Sequence, residues 1–155
     1  MTQDEEQALQ LWRAMLRASR AVGRVVRETL HRHGLRGAQF GLLWVLAEAG
    51  PEGLKLTDIS EKLVVTCGNI TGLMDRLEEL GYVVREPHPS DRRVVLAKLT
   101  PQARTLLDEI VPVHTRRLAR IMSCLSDSDR ETLSQLLSRV SEQAALVDEE
   151  PKDND

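Results

Sequence analysis

The amino-acid sequence predicts a mainly α-helical protein with one small β-hairpin. Apolar residues recur every three or four positions along most of the 155-residue chain, which is the spacing of one helix face. Aromatic residues make up only 3%, so Leu, Val and Ala must supply the core, which favours helices over a β-sandwich. Residues rich in β-formers occur in two short runs, 82–86 and 94–99, on either side of a polar turn segment.

The first predicted helix covers residues 7 to about 32 and stops at Gly34. Arginines follow one another along it at spacings of four and three residues, which places their side chains on one stripe of the helix. This stripe is either an ordinary solvated surface or a positive lining that faces DNA or an anionic ligand. Its members are Arg13, Arg17, Arg20, Arg24 and Arg27.

The second and third predicted helices are separated by a strong break. Residues 37–49 are largely apolar and predict a buried helix, which the segment 50–53, with its two glycines and one proline, must end. A helix of under three turns follows. Thr57 is its expected N-cap, and Leu56 is placed to act as a hydrophobic staple.

The fourth predicted helix follows a turn at residues 64–66 and runs to Leu80, with Gly81 just beyond its end. Its apolar residues have the spacing of one buried face. The opposite face starts with small and polar side chains. The buried stripe consists of Ile70, Leu73, Met74, Leu77 and Leu80.

Two more helices are predicted after the hairpin. Thr100 caps the first of them, which has Pro101 at its first position and continues to about Leu125. An interior proline, Pro112, should bend this helix. The last helix begins after Ser126 and runs to about 147, and residues 148–155 form an acidic tail that we expect to be solvated.

Two short helices joined by a turn and followed by a basic hairpin make a winged helix-turn-helix module, here residues 37–100. Small or polar side chains let a recognition helix enter a major groove about 12 Å wide. The alternative role for Gly68 and Gly72 is close packing against a neighbouring helix. The predicted DNA contacts are Thr66, Gly68, Asn69, Thr71, Arg76, Arg92 and Arg93.

The tip of the hairpin, or wing, carries the predicted minor-groove contacts Arg92 and Arg93, since a narrow A·T-rich groove attracts guanidinium groups. Asp91 is expected to orient the wing. Its carboxylate can hold Arg93 extended through an ion pair, or it can serve the geometry of the turn. Both roles are compatible with the sequence.

The sequence resembles the MarR family of bacterial regulators over nearly its whole length. The matching residues are the run 68–85 (GNITGLMDRLEELGYVVR), then 88–93 (HPSDRR) and 99–101 (LTP). The resemblance implies a homodimer in which the helices of 7–36 and 101–147 intertwine, leaving two winged lobes to grip successive major grooves of a pseudo-palindromic operator. It further implies that Gly68, Asn69 and Thr71 face DNA and that Asp91 and Arg93 match the wing signature.

The resemblance also implies a small aromatic or anionic effector that binds between the dimer helices and the winged lobe. Trp12, Arg13 and Arg17 are the candidates to line such a pocket, although Trp12 alone is more typical of an anchor for an interface or the core. Gly37 departs from the family, whose members commonly have Ser or Thr at this helix start. Cys67, at the start of the recognition helix, is either a redox-sensitive thiol or an inert one.

Composition and motifs restrict the remaining functions. The net charge is −3, but without 1–6 and 148–155 the chain has 16 acidic and 20 basic residues, so its body is mildly basic. No apolar run approaches the ~20 residues of a membrane span, and no secretory signal is present, so we expect a cytoplasmic protein.

No glycine-rich phosphate loop, HExxH or GxSxG motif occurs, so neither an enzyme nor a cofactor is predicted. A metal sensor would draw on His31, His33, His88 and His114. His31 and His33, however, point about 200° apart on a helix and cannot bind one metal ion from one face. The resemblance implies a repressor of transcription that is released by an effector, and a constitutive regulator without an effector is the alternative. A helical protein-interaction module is the rival from another class, and it would fail to shift DNA in a mobility assay. The operator and the identity of the effector are not encoded in any readable pattern.

Overall fold

The computed structural model describes residues 1–63 and 67–149, without the side chains of 67–69 and 148–149. The part of the predicted acidic tail beyond residue 149 therefore lies outside the described residues. The elements in chain order are α1 (Gln3–Arg32), α2 (Gly37–Ala49), β1 (Leu54–Lys55), α3 (Leu56–Leu63), α4 (Cys67–Glu79), β2 (Val83–Pro87), β3 (Val95–Leu99), α5 (Pro101–Met122) and α6 (Asp127–Glu149). This confirms the mainly helical fold with a small β-hairpin.

Helix α1 begins at Gln3, earlier than the predicted residue 7. Thr2 and Glu5 form a capping box, in which Thr2 Oγ1 accepts from the backbone N–H of Glu5 at 3.3 Å and the Glu5 carboxylate accepts from the N–H of Thr2 at 2.6 Å. Acidic residues in the first turn also suit the positive end of the helix dipole. The early start was readable from the Thr-x-x-Glu pattern.

The turn between α1 and α2 has the hydrogen bonds of a Schellman motif. The N–H of Leu35 donates to the carbonyl of Leu30, and the N–H of Gly34 donates to that of His31, both at 3.0 Å. Gly34 has a φ of +70°, which favours glycine. The turn buries Leu35 in the core and leaves Arg36 exposed just before α2, which starts at Gly37 as predicted.

The sheet has three strands in the order β1-β3-β2, not the two of a simple hairpin. Antiparallel pairing sets Leu54 opposite Ala97, so β1 lies along the edge of the wing. A side chain at Gly53 would clash with the carbonyl oxygen of Ala97, which explains the glycine at this close approach. Helix α3 starts at Leu56 directly after β1, and the predicted N-cap at Thr57 is therefore wrong.

The core lies where α2, α3 and α4 meet the sheet. The predicted stripe of α4 is buried or half-buried, with Ile70, Met74 and Leu77 almost fully covered. Each such side chain stabilises the fold by about 1.5–3 kcal/mol. Their partners in the core include Leu42, Leu43 and Leu46 of α2, Ile59 of α3, Val83 of β2 and Ala97 of β3.

Thr100 joins the wing to α5. Its hydroxyl accepts from the N–H of Ala103 at 3.2 Å, as predicted for an N-cap, and donates to the carbonyl of Gly81 at 2.7 Å. Helix α5 contains Pro112 and ends at Met122 rather than near Leu125. A bend at Pro112 stays a prediction.

The last helix, α6, is capped by Ser126 as predicted, since the Ser126 hydroxyl accepts from the N–H of Asp129 at 3.2 Å. The chain forms two compact units, residues 1–117 and 118–155. The assignment of 7–36 and 101–147 to dimerisation and of 37–100 to DNA binding stays a prediction. None of the described helices is long and apolar enough to cross a membrane.

Candidate nucleic-acid interface

The outward face of α4 is small and polar, as the sequence predicts. Thr71, Gly72 and Arg76 are all exposed. A Cβ added at Gly72 would meet nothing within 4 Å, so close packing does not explain this glycine. Thr66 lies outside the described residues. Gly68 and Asn69 belong to α4, but their side-chain surroundings also lie outside the description.

Arg85 of β2 fixes α4 to the sheet, a role that the sequence analysis missed. Its guanidinium donates to Asp75 Oδ1 at 2.6 Å and also to Glu78 Oε2. Partial burial acts to lower the pKa of Arg85, but hydrogen bonds to Asp75 and Glu78, with their negative charges, outweigh it and raise the pKa. The signal in the sequence was the pair of acids one turn apart on α4 followed by an arginine in the next strand.

The wing tip is a turn closed by backbone and side-chain hydrogen bonds. Asp91 Oδ1 accepts from the backbone N–H of Arg93 at 3.0 Å, and the carbonyl of Asp91 accepts from the N–H of Val94 at 3.0 Å. Among the described residues, the structure has no ion pair between Asp91 and Arg93. Asp91 therefore serves the turn, which is the second of its two predicted roles.

Arg92 and Arg93 are exposed at this tip. Within the described part of the chain neither guanidinium has an ion-pair partner. Arg85 connects the recognition helix to β2, and β2 pairs with β3 throughout the hairpin, from Val83 opposite Leu99 to Pro87 opposite Val95. The wing and the recognition helix are therefore parts of one braced unit.

The residues predicted to line an effector pocket all lie on α1. Trp12 is 57% exposed, and Arg13 and Arg17 are exposed beside it. The other members of the arginine stripe, Arg20, Arg24 and Arg27, are exposed too. No ion pair between this stripe and another described residue occurs. A pocket formed by these side chains stays a proposal.

An aromatic cluster that the sequence analysis missed lies between α2 and α5. The ring centroid of His114 is 4.6 Å from that of Phe40, and Trp44 completes the cluster at 5.6 Å from Phe40. His114 Nδ1 is buried without a hydrogen-bond partner among the described atoms. Burial lowers the pKa of His114 because the charged ring loses hydration there. In the sequence His114 stood out only as a possible metal ligand.

Two other histidines, His33 and His88, make separate hydrogen-bond contacts. His33 Nδ1 is 3.0 Å from the carbonyl oxygen of Thr29, and His88 Nδ1 accepts from the N–H of Ser90 at 3.2 Å. Over residues 1–63 and 67–149, no three His, Cys, Asp or Glu side chains converge on a possible metal position. Cys124 is an exposed free thiol, and the thiol of Cys67 is outside the described side chains.

Comparisons with known proteins agree with this arrangement. A sequence model of the MarR family matches residues 35–95. YkoM, an HTH-type transcriptional regulator of Bacillus subtilis, is 36% identical over 137 residues, which are 88% of this chain and 88% of YkoM. The chain belongs to the MarR family. The resemblance carried by the runs 68–85 and 88–93 is thus confirmed.

Solved structures of MarR-family regulators have the same fold. Sco3205 from Streptomyces coelicolor, solved in complex with DNA, is 26% identical with a TM-score of 0.83, and the match covers 100% of this chain and 94% of Sco3205. CouR from Rhodococcus jostii RHA1, solved with p-coumaroyl-CoA bound, is 29% identical with a TM-score of 0.75, and the match covers 82% and 88% of the two chains. The predicted winged helix-turn-helix is therefore confirmed.

Proposed function

We propose that this MarR-family regulator binds double-stranded DNA as a homodimer and represses transcription from a pseudo-palindromic operator. The observation that carries the proposal is the brace at Arg85, which ties an exposed, small-faced recognition helix to a wing with two exposed arginines. A preformed pair of DNA-reading elements loses little conformational entropy on binding. Sco3205, a relative with the same fold, has been solved in complex with DNA.

The recognition helix supplies the proposed major-groove contacts. Thr71 is exposed on its outer face, and the open space at Gly72 lets the backbone approach the base edges. Arg76 is placed for a backbone phosphate, since its pairing with Glu79 is largely exposed to solvent and contributes little to stability. Thr66, Gly68 and Asn69 complete the proposed set from the sequence.

The wing supplies the proposed minor-groove contacts. Arg92 and Arg93 project from a turn whose shape is held by the Asp91 carboxylate. Guanidinium groups are attracted to the narrow minor groove of A·T-rich DNA. Asp91 therefore acts on DNA indirectly, by fixing the position of the two arginines.

The proposed homodimer rests on an apolar face of α6. Leu133, Leu136, Leu137 and Val140 lie at helix positions i, i+3, i+4 and i+7, and each is 40–48% exposed. A continuous apolar stripe of this kind is stabilised when a partner surface covers it. A second copy of the chain is the partner that the two-fold symmetry of an operator requires.

The proposed effector is a small aromatic or anionic molecule bound beside α1. Trp12 offers an aromatic face, and Arg13 and Arg17 offer positive charge without partners among the described acids. CouR, a regulator of the same fold, has been solved with p-coumaroyl-CoA bound. Effector binding would change the spacing of the two winged lobes and so release DNA. The proposal includes no enzymatic activity and places the protein in the cytoplasm, together with the DNA it regulates.

The test is a mobility-shift titration on the DNA that flanks the protein's own gene, comparing the wild type with the double variant Arg92→Ala/Arg93→Ala. The wild type should shift this DNA, with an affinity that falls steeply as salt rises. The double variant should bind at least about 10-fold more weakly, because each lost contact is worth about 1 kcal/mol or more. Arg139→Ala, a charge loss on α6, is the control. Unchanged affinity in the double variant would refute the wing assignment.

A further inference from the structure

A cleft of about 560 Å³ lies between the start of α2 and one flank of α4. Its α4 side is formed by Gly72, Leu73, Arg76 and Leu80. On a helical wheel these positions lie on the opposite flank from Asp75 and Glu78, which hold Arg85. The recognition helix therefore has the wing on one side and this cleft on the other. The α2 side of the cleft is formed by Gly34, Arg36, Ala38 and Gln39.

The cleft is positively charged. Of the residues that the structure describes, two arginines, Arg36 and Arg76, and no acidic residue line it. Arg36 is exposed and has no ion-pair partner in the part of the chain that the structure describes. The ion pair of Arg76 with Glu79 at 2.8 Å has both side chains more than 60% exposed, so its guanidinium can exchange partners at little cost.

The cleft also leaves room for a ligand group to come close to the protein backbone. Gly34 and Gly72 leave open space on its two walls, because a Cβ at either position would meet nothing within 4 Å. Its α4 wall begins at Gly72, on the exposed face of the proposed recognition helix. A DNA duplex bound to that face would therefore have a sugar-phosphate backbone beside the opening of the cleft.

We propose that Arg36 and Arg76 clamp a backbone phosphate of the operator in this cleft. Guanidinium groups bind phosphate oxygens through paired, charge-assisted hydrogen bonds. The inference rests on the proposed function and adds a contact to it: the wing holds DNA on one side of the recognition helix, and the cleft holds a phosphate on the other. Contacts of this kind set the register of a recognition helix in the groove without reading sequence.

The test is the salt dependence of DNA affinity for Arg36→Gln, measured by fluorescence anisotropy on the fragment that the wild type protects. Loss of one phosphate contact should reduce the slope of log affinity against log salt by about 1 and weaken binding uniformly across operator variants. Arg36→Lys should retain the slope, because the positive charge remains. Arg139→Gln is the matched control for charge loss, and circular dichroism of each variant checks that it folds.

Phosphate ethylation interference on the same fragment locates the contact. In wild type, ethylation of one phosphate per half-site, away from the wing contacts, should block binding. This interference should be clearly reduced in Arg36→Gln, in which only Arg76 still contacts that phosphate. An unchanged slope and unchanged interference pattern in Arg36→Gln, while Arg92→Ala/Arg93→Ala still weakens binding, would overturn the cleft proposal and leave the proposed function intact. Failure of the wild type to bind any flanking DNA would instead overturn the proposed function.

A free phosphorylated ligand is the other source of the same chemistry. Calorimetric titration of the DNA-free protein with inorganic phosphate distinguishes the two sources. Weak or absent binding of inorganic phosphate, together with the altered DNA slope, supports a DNA phosphate. Binding that Arg36→Gln removes while the DNA slope stays at the wild-type value would assign the cleft to a free ligand and contradict the proposal.

Discussion

Arg85 is the residue on which the geometry of the interface depends. It joins β2 to α4 through two carboxylates, Asp75 and Glu78. Because hydrogen bonds are directional and apolar contacts are not, these two bonds define how the helix is oriented on the strand. Its side chain is only 24% exposed, so this network is better shielded from solvent than an ordinary surface ion pair. A charge at this position therefore has both a stabilising and a positioning effect.

We expect Arg85→Gln to lower the free energy of unfolding by about 1–2 kcal/mol in urea denaturation, because two partly shielded carboxylates lose their partner. DNA affinity should fall as well, although Arg85 is not among the proposed DNA contacts. Arg76→Gln is the comparison for stability, since its exposed pairing with Glu79 should change the free energy of unfolding by no more than about 0.5 kcal/mol. Equal stability losses in the two variants would argue against the brace.

Burial of His114 in α5 should make the stability of the fold depend on pH. Its folded-state pKa is lowered by burial, so below about pH 6.5 the unfolded chain takes up a proton that the folded chain resists. The free energy of unfolding should therefore fall as the pH is lowered from 7 to 5. In His114→Phe this fall should be smaller, whereas the exposed His31→Gln control should keep the wild-type dependence. Identical pH profiles for wild type and His114→Phe would contradict this account.

Among the elements, α4 contains a glycine, Gly72, that lowers helix stability but keeps the proposed DNA-facing surface open. Gly72 lies in the helix with open space around it, so Gly72→Ala should raise the free energy of unfolding by up to about 1 kcal/mol. The added methyl group would stand on the proposed DNA-facing surface and should weaken DNA binding. Thermal denaturation and anisotropy on the same variant measure both effects. A more stable variant with unchanged DNA affinity would show that this position does not approach DNA.

The elements also show what a sequence pattern can predict. The helices α2 and α4 were predicted well because their apolar spacing and the glycines at their ends indicate the same boundaries. The N–H groups of Gly81 and Tyr82 donate to the carbonyls of Glu78 and Leu77 and end α4 where the sequence predicts. Strand β1 was missed because two residues carry no periodicity, and only their pairing with β3 makes them a strand. The same pairing moved the start of α3 to Leu56.

The candidate site residues were likewise predictable where the local sequence determines their position, and not where packing between elements does. The exposure of Thr71, Arg92 and Arg93 was predictable, because it depends only on helix periodicity and on the polarity of the turn. Arg85 and Arg36 were given no role of their own in the sequence analysis. Arg85 bonds to residues only seven and ten positions away, but these bonds form only once α4 packs against β2. The cleft beside Arg36 exists only once α2 and α4 are packed together.

For the whole molecule, the exposed apolar face of α6 predicts association. Leu136→Asp places a charge on this face, where Leu133, Leu137 and Val140 are also exposed. The variant should sediment as a monomer at concentrations at which the wild type is a dimer, because a buried unpaired carboxylate is strongly unfavourable. Its DNA affinity should fall together with the dimer. Arg139→Asp, off the stripe on the same helix, is the control, and a dimeric Leu136→Asp would place the interface elsewhere.

The proposed function requires that, in each lobe of the dimer, α4 and the wing tip contact the same DNA duplex. Hydroxyl-radical protection mapping of the flanking DNA tests this most directly, with wild type and Arg92→Ala/Arg93→Ala side by side. We predict two symmetric protected half-sites with centres about 10 base pairs apart, and a loss in the double variant of only the outer, minor-groove protections. A single unsymmetric footprint, or one that the double variant reproduces in full, would contradict the account.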